Sequence, residues 1–193
     1  MKKLLGVVLG MLFWSSASAV VLEGYEFPET VKVESDGPTL KLQGASVRTW
    51  YLAIKGYVGA LYLQNPSSVS SEILADDSHQ RMTFTLLFDK MSARRVANSF
   101  YEAIQINTSE EEQIALQKDF EKFLAMQDGA IHRGEASIIE FIPGKGTQVT
   151  VAGEKKGVIP DKRLFNALLR VWIGETPPTQ KFKDEILGVK TQA

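Results

Sequence analysis

The 193-residue sequence predicts an α+β fold in which a large antiparallel sheet carries a layer of helices on one face. Three observations lead there. Strand patterns come in two blocks, separated by two consecutive helical patterns and followed by another helical pattern. Met82, Phe84, Leu86 and Phe88 alternate with Thr83 and Thr85, the period of a strand with one buried face. Val96, Phe100 and Ile104 then recur every fourth position, the spacing of one helix face.

In chain order, residues 20–34 form an extended lead-in, with Tyr25, Phe27, Val31 and Val33 set among polar neighbours. Asp36-Gly37-Pro38 is a turn, and Leu40 and Leu42 open a strand. Residues 42–63 read as two strands rich in aromatic and branched side chains, with Gly44 and Gly56 marking a tight turn or a bulge. Asn65-Pro66-Ser67-Ser68 closes that run, and Glu72 to Ala75 forms a short helical turn. Ser92 caps the first long helix. Ser109 and Glu112 fit a capping box for the second, which carries Leu116, Phe120, Phe123 and Leu124 inward and ends at Gly129. Strands 136–142 and 147–151 flank a Pro143-Gly144-Lys145-Gly146 turn, and 153–157 is a second turn into Val158-Ile159. Pro160-Asp161 starts a helix that turns Phe165, Leu168, Leu169 and Trp172 inward. Thr176-Pro177-Pro178 ends it, and Phe182 to Leu187 forms a last short helix.

The first nineteen residues have the organisation of a signal peptide. Lys2 and Lys3 are a positive start, Leu4 to Trp14 a short apolar core, and Ala17-Ser18-Ala19 a cleavage site. Cleavage after Ala19 leaves residues 20–193 as one domain, exported to the periplasm. The apolar run is too short to span a bilayer, and no later segment approaches the required length. The absence of cysteine excludes disulfides and thiolate chemistry. Losing Lys2 and Lys3 takes the formal charge from −1 to −3, so there is no electrostatic case for nucleic acid.

Few motifs carry chemistry. His79 and His132 lack metal-ligand spacing and read as exposed loop residues; no metal or cofactor is expected. Gly144-Lys145-Gly146-Thr147 lacks the context of a phosphate loop and reads as a hairpin. No G-x-S-x-G elbow occurs. Glu110-Glu111-Glu112 complements a helix dipole, and Lys155-Lys156 is an exposed turn. Arg48 stands apart, because a guanidinium on an apolar strand is costly to bury without an anionic partner. It is either a structural arginine paired within the fold or an anion clamp at the end of an apolar pocket. Tyr57 and Tyr62 lie on the neighbouring strand and face opposite sides, so one of them shares the pocket.

Arg48 followed by Tyr57-Val-Gly-Ala-Leu-Tyr62-Leu63 resembles the chalcone isomerase superfamily, in which a Gly-x-x-x-Arg strand leads into a Tyr-x-x-x-Leu-Tyr strand. Arg81 to Phe88 with the helix from Ser92 to Ile106 is similar to its core strand and pocket helix. Phe141 to Thr147 is similar to its hairpin, and Gly157-Val-Ile through Trp172-Ile173-Gly174 and Pro177 to its final helix. The likeness covers nearly all of residues 22–188 and fits the secreted bacterial chalcone isomerase-like proteins best. It implies an open-faced β-sandwich with a ligand cleft between sheet and helices. In the plant enzymes an arginine orients the substrate anion, while a threonine, a tyrosine and an asparagine organise a water and the carbonyl. Arg48 matches the arginine. Tyr57 stands at the threonine position, and the helix tyrosine and asparagine map near Ser92 and Ser99, with Asn98 one residue off. The resemblance therefore implies a non-catalytic protein that binds a fatty acid or other apolar carboxylate. Arg48 and Tyr57 would hold the head, with Asn98 and Ser99 on the opposite wall, and no catalytic residue is assigned. The alternative is an isomerase or intramolecular lyase acting on a substrate other than a chalcone.

Overall fold

The computed structural model describes residues 18–33, 37–50 and 53–189. The stretch expected to be the n-region and apolar core of a signal peptide, the Asp36 end of the first turn, and Tyr51-Leu52 lie outside the described residues.

Among the described residues, eleven strands and five helices follow one another in the order read from the sequence, with additions. A hairpin of β1 (Ala19–Leu22) and β2 (Tyr25–Pro28) precedes β3 (Thr30–Lys32). Its two-residue loop holds Glu23 and Gly24 at positive φ, as right-twisted hairpins favour. β4 (Thr39–Trp50) and β5 (Ile54–Leu63) are the long signature strands. The short helix α1 (Ser70–Ala75), β6 (Gln80–Leu86) and a three-residue strand β7 (Lys90–Ser92) come next. Helices α2 (Ala93–Ile106) and α3 (Glu110–Ala125) follow, then β8 (Ala130–His132), which pairs with β7. β9 (Ala136–Ile142), β10 (Gly146–Val151), β11 (Glu154–Ile159), α4 (Lys162–Ile173) and α5 (Gln180–Ile186) complete the chain.

The main sheet has seven strands in the order β11-β10-β9-β6-β5-β4-β3, and all its pairings are antiparallel. The pairing of β6 with β9 spans both long helices. It joins the two strand blocks into one sheet and puts the intervening helices on one face. That face holds the main core, including Leu61, Met82, Phe84, Ile139 and Val149 of the sheet and Phe100, Phe120, Leu168 and Trp172 of the helices. The expected α+β architecture is therefore the observed one.

The opposite face is not bare. Over β4 and β5 the β1–β2 hairpin brings Phe27 into a second cluster with Leu40, Val58, Ala60 and Tyr62. Further across, a polar row runs through register partners Tyr62, Arg81, Glu140 and Gln148. Here the reading of His79 as an exposed loop residue is corrected. His79 is buried and its Nε2 lies 2.8 Å from Glu140 Oε1. Arg81 Nε donates to the same oxygen at 2.8 Å, and Gln148 Nε2 to Oε2 at 3.3 Å. A buried carboxylate survives because cation, ring and amide meet it together. His132 is exposed, as expected.

Three local readings also change. Ser92 precedes α2 but makes no side-chain cap. Ser109 does cap α3 through the Glu112 amide at 3.2 Å, but the Glu112 carboxylate does not close the capping box. It pairs with Arg170 instead, tying α3 to α4. The turn expected over 153–157 is only Ala152-Gly153, both at positive φ, and Lys155 and Lys156 sit in β11. β11 is an edge strand, where charged side chains discourage pairing with another chain.

Candidate functional site

Two irregularities in the β4–β5 ladder shape the site. Leu42 pairs with Tyr62 and Gly44 with Leu61, leaving Gln43 as an extra residue. Arg48 pairs with Tyr57 and Thr49 with Lys55, leaving Gly56 as a bulge. The second bulge lets Trp50 fold back over Gly56. A Cβ on Gly56 would stand 1.9 Å from the ring atom Cζ3. Arg48 and Tyr57 are direct cross-strand neighbours, and both face the helices. Tyr62 faces the other side, as the strand alternation requires.

The cleft between sheet and helices consists of two chambers that share Trp50, Tyr57, Ser99 and Phe100. One, about 270 Å³, is lined chiefly by Phe84, Leu86, Phe88, Met91, Val96 and Ile131. The other, about 260 Å³, holds Arg48 and is walled by Ala103 and Ile106 of α2, Val171 of α4 and the Thr176-Pro177-Pro178 segment. Asn107 pins that segment. Its Oδ1 accepts from the Thr176 amide and its Nδ2 donates to the Thr176 carbonyl, both at 3.0 Å.

Arg48 is half-buried. Its Nη1 donates to the Thr49 carbonyl at 2.9 Å, and its guanidinium carbon lies 5.5 Å from the centre of the Trp50 ring. Among the described residues no carboxylate comes within ion-pair distance of it. A guanidinium has five N–H donors, so most of this fork stays free for a ligand.

The Tyr57 ring is buried and touches Trp50, Phe84, Phe100 and Phe182, mostly edge to face, at centroid distances of 6.0–6.3 Å. Its hydroxyl accepts a hydrogen bond from Trp172 Nε1 at 2.9 Å. Burial pushes the phenol pKa up to about 12, against the smaller opposing pull of the Trp172 hydrogen bond and the Arg48 charge. Tyr57 is therefore a neutral donor at ordinary pH and no general base.

Of the four residues singled out, the structure brings together Arg48, Tyr57 and Ser99. Ser99 sits at the junction of the chambers, exposed on α2, with its hydroxyl turned to the Arg95 carbonyl at 3.2 Å. Asn98 is exposed on α2 and lines neither chamber. α2 turns Val96, Ser99, Phe100 and Ala103 toward the cleft, and position 98 lies off that stripe. Sequence reading missed Trp50 and Trp172. Trp172 was legible as core only, and nothing in the local pattern showed that its indole would reach the Tyr57 hydroxyl. Among the described residues, no cluster of three or more histidines or carboxylates could hold a metal.

The chalcone isomerase-like family model matches residues 19–188. The chain belongs to the chalcone isomerase-like family. Among solved structures, the fatty-acid binding protein of Arabidopsis thaliana superposes with a TM-score of 0.63 at 18% identity, over 88% of this chain and 96% of that one. At that identity the likeness concerns the fold. No curated protein matches the chain. Chalcone isomerase-like architecture thus accounts for the curled sheet, the helical layer and the cleft between them.

Proposed function

We propose that this chalcone isomerase-like protein is a non-catalytic binding protein for a fatty acid or other apolar carboxylate, with Arg48 as the anion clamp. One observation carries the reading: a guanidinium with no carboxylate partner among the described residues stands at one end of an apolar cleft. A carboxylate there gains a charge-assisted, bidentate hydrogen bond. Its chain gains roughly 0.8 kcal/mol for each methylene buried, before the costs of association. The Tyr57 hydroxyl accepts from Trp172 and keeps its own proton for the ligand head. Similarity to a fatty-acid binding protein supports the same class of ligand.

Binding is preferred to catalysis on chemical grounds. Apart from Arg48 and a phenol that stays protonated, the polar side chains lining the cleft among the described residues are Trp50, Arg95, Ser99 and Thr176, with no carboxylate or imidazole to move a proton. The periplasm is the proposed compartment, on the strength of the lysine start, the apolar core and the Ala-x-Ala site. Cleavage after Ala19 would remove the outermost β1–β2 pair, Ala19 with Pro28, and keep the rest of the hairpin.

Native mass spectrometry of protein taken from the periplasm of its host tests both parts. The expected mass begins at Val20 and carries a non-covalent adduct that extracts as an acidic, apolar molecule. A chain that still begins at Met1 contradicts the location. A polar or cationic adduct held in the cleft contradicts the ligand class.

A further inference from the structure

The cleft contains a second cation. Arg95 lines the apolar chamber and, like Arg48, has no carboxylate within ion-pair distance among the described residues. The two arginines lie toward opposite ends of α2. Arg95 stands two residues into the helix, beside Met91 and Val96, whereas the Arg48 chamber is lined by Ala103 and Ile106 at the far end. Ser99 and Phe100, midway, belong to both chambers. Between the cations, Trp50, Tyr57 and Phe100 border both chambers.

We propose that the cleft takes a chain with an acidic group at each end, one on Arg48 and the other on Arg95. This rests on the reading of the cleft as a carboxylate site and narrows its ligand class. An apolar chain with one acid needs one cation. Its terminal methyl gains nothing beside a guanidinium, which loses hydration if the methyl covers it. A second carboxylate at that position keeps both charges partnered. The length is set by the helix. Arg95 and Ala103 are about 12 Å apart along α2 at 1.5 Å per residue. An extended chain advances about 3.8 Å for every three bonds, so about nine or ten bonds cover that span. Decanedioate has this length, and decanoate is its one-ended counterpart.

The test is displacement of a fluorescent fatty acid by decanedioate and by decanoate, from wild type, Arg95→Gln and Arg48→Gln. Folding of each variant is checked by circular dichroism. Because Arg95 is largely exposed, its pair is worth up to about fivefold. Wild type should therefore bind decanedioate up to about fivefold tighter than decanoate. Arg95→Gln should reverse the order, since the second carboxylate then enters the chamber unpaired. Arg48→Gln should weaken both. If decanoate binds in an Arg48-dependent way and decanedioate binds no better, the two-ended ligand is excluded and the carboxylate site stands. A preference for decanedioate that survives in Arg95→Gln also excludes the assignment. If neither acid displaces the probe from wild type, the carboxylate reading fails, and this inference with it.

Discussion

The Tyr57 hydroxyl ties the sheet to α4, because the buried Trp172 Nε1 donates to it and to no other acceptor among the described residues. Tyr57→Phe leaves that indole N–H without a partner, and an unsatisfied buried donor costs about 1–3 kcal/mol. The expected result is a lower urea midpoint with an unchanged slope, in addition to any weaker ligand binding. Full stability in the variant would mean that water serves Trp172 equally well. Glu140 belongs to the same scale. Burial alone would raise its pKa, but the His79 hydrogen bond and the Arg81 charge and hydrogen bond overcome that and hold it below the usual glutamate range. A carboxyl with a depressed folded pKa contributes stability that is fully present above its unfolded pKa, about 4.3. That stability is lost as pH falls through the folded value. Urea midpoints of wild type should therefore fall more steeply below about pH 4 than those of Glu140→Gln. At neutral pH Glu140→Gln should be the less stable protein, because Arg81 loses its partner. Parallel pH profiles for the two would contradict this. Arg48 was legible in the sequence because a charge on an apolar strand is conspicuous. His79 was not, because Glu140 is 61 residues away and meets it only through the β6–β9 pairing.

At the level of elements, the β5 bulge gives the cleft its floor. Gly56 was legible as a turn or bulge, but its purpose depends on Trp50, whose ring occupies the place of a Cβ. Gly56→Ala should push Trp50 off the strand, separate it from Arg48, and cost about 1–3 kcal/mol of stability through overpacking. A shift of tryptophan emission to the red, with weaker fatty-acid binding, is the expected signature. An unchanged spectrum with unchanged affinity would show that the ring has room to move. Gly44 meets a similar constraint, since a Cβ there would lie 2.0 Å from the Glu185 carbonyl of α5. Periodicity revealed α2, α3 and α4 because each turns one apolar face to the sheet. It did not reveal β7, β8 or β11. The first two are three-residue strands, too short to show a period, and β11 reads as a charged turn because edge strands carry lysine.

At the scale of the whole molecule, the cleft forms where two distant parts of the chain meet. The β4–β5 pair supplies Arg48, Trp50 and Tyr57, and α2, α4 and the 176–178 segment close over them. The sequence showed the layers, because the block order of strands and helices has few antiparallel solutions. It could not show the two chambers, whose shape depends on contacts such as Trp172 with Tyr57 and Asn107 with Thr176, 115 and 69 residues apart. Fatty-acid binding, as proposed, depends on Arg48. A fluorescent fatty acid titrated into wild type, Arg48→Ala and Arg48→Lys tests it most directly. Loss of a charge-assisted hydrogen bond is worth about 1.5–3 kcal/mol, so Arg48→Ala should bind at least about tenfold more weakly. Arg48→Lys should recover only part of the difference, since a point charge cannot replace a two-pronged donor. Equal affinity in wild type and in a folded Arg48→Ala would show that Arg48 is a structural arginine and contradict the assignment of the site.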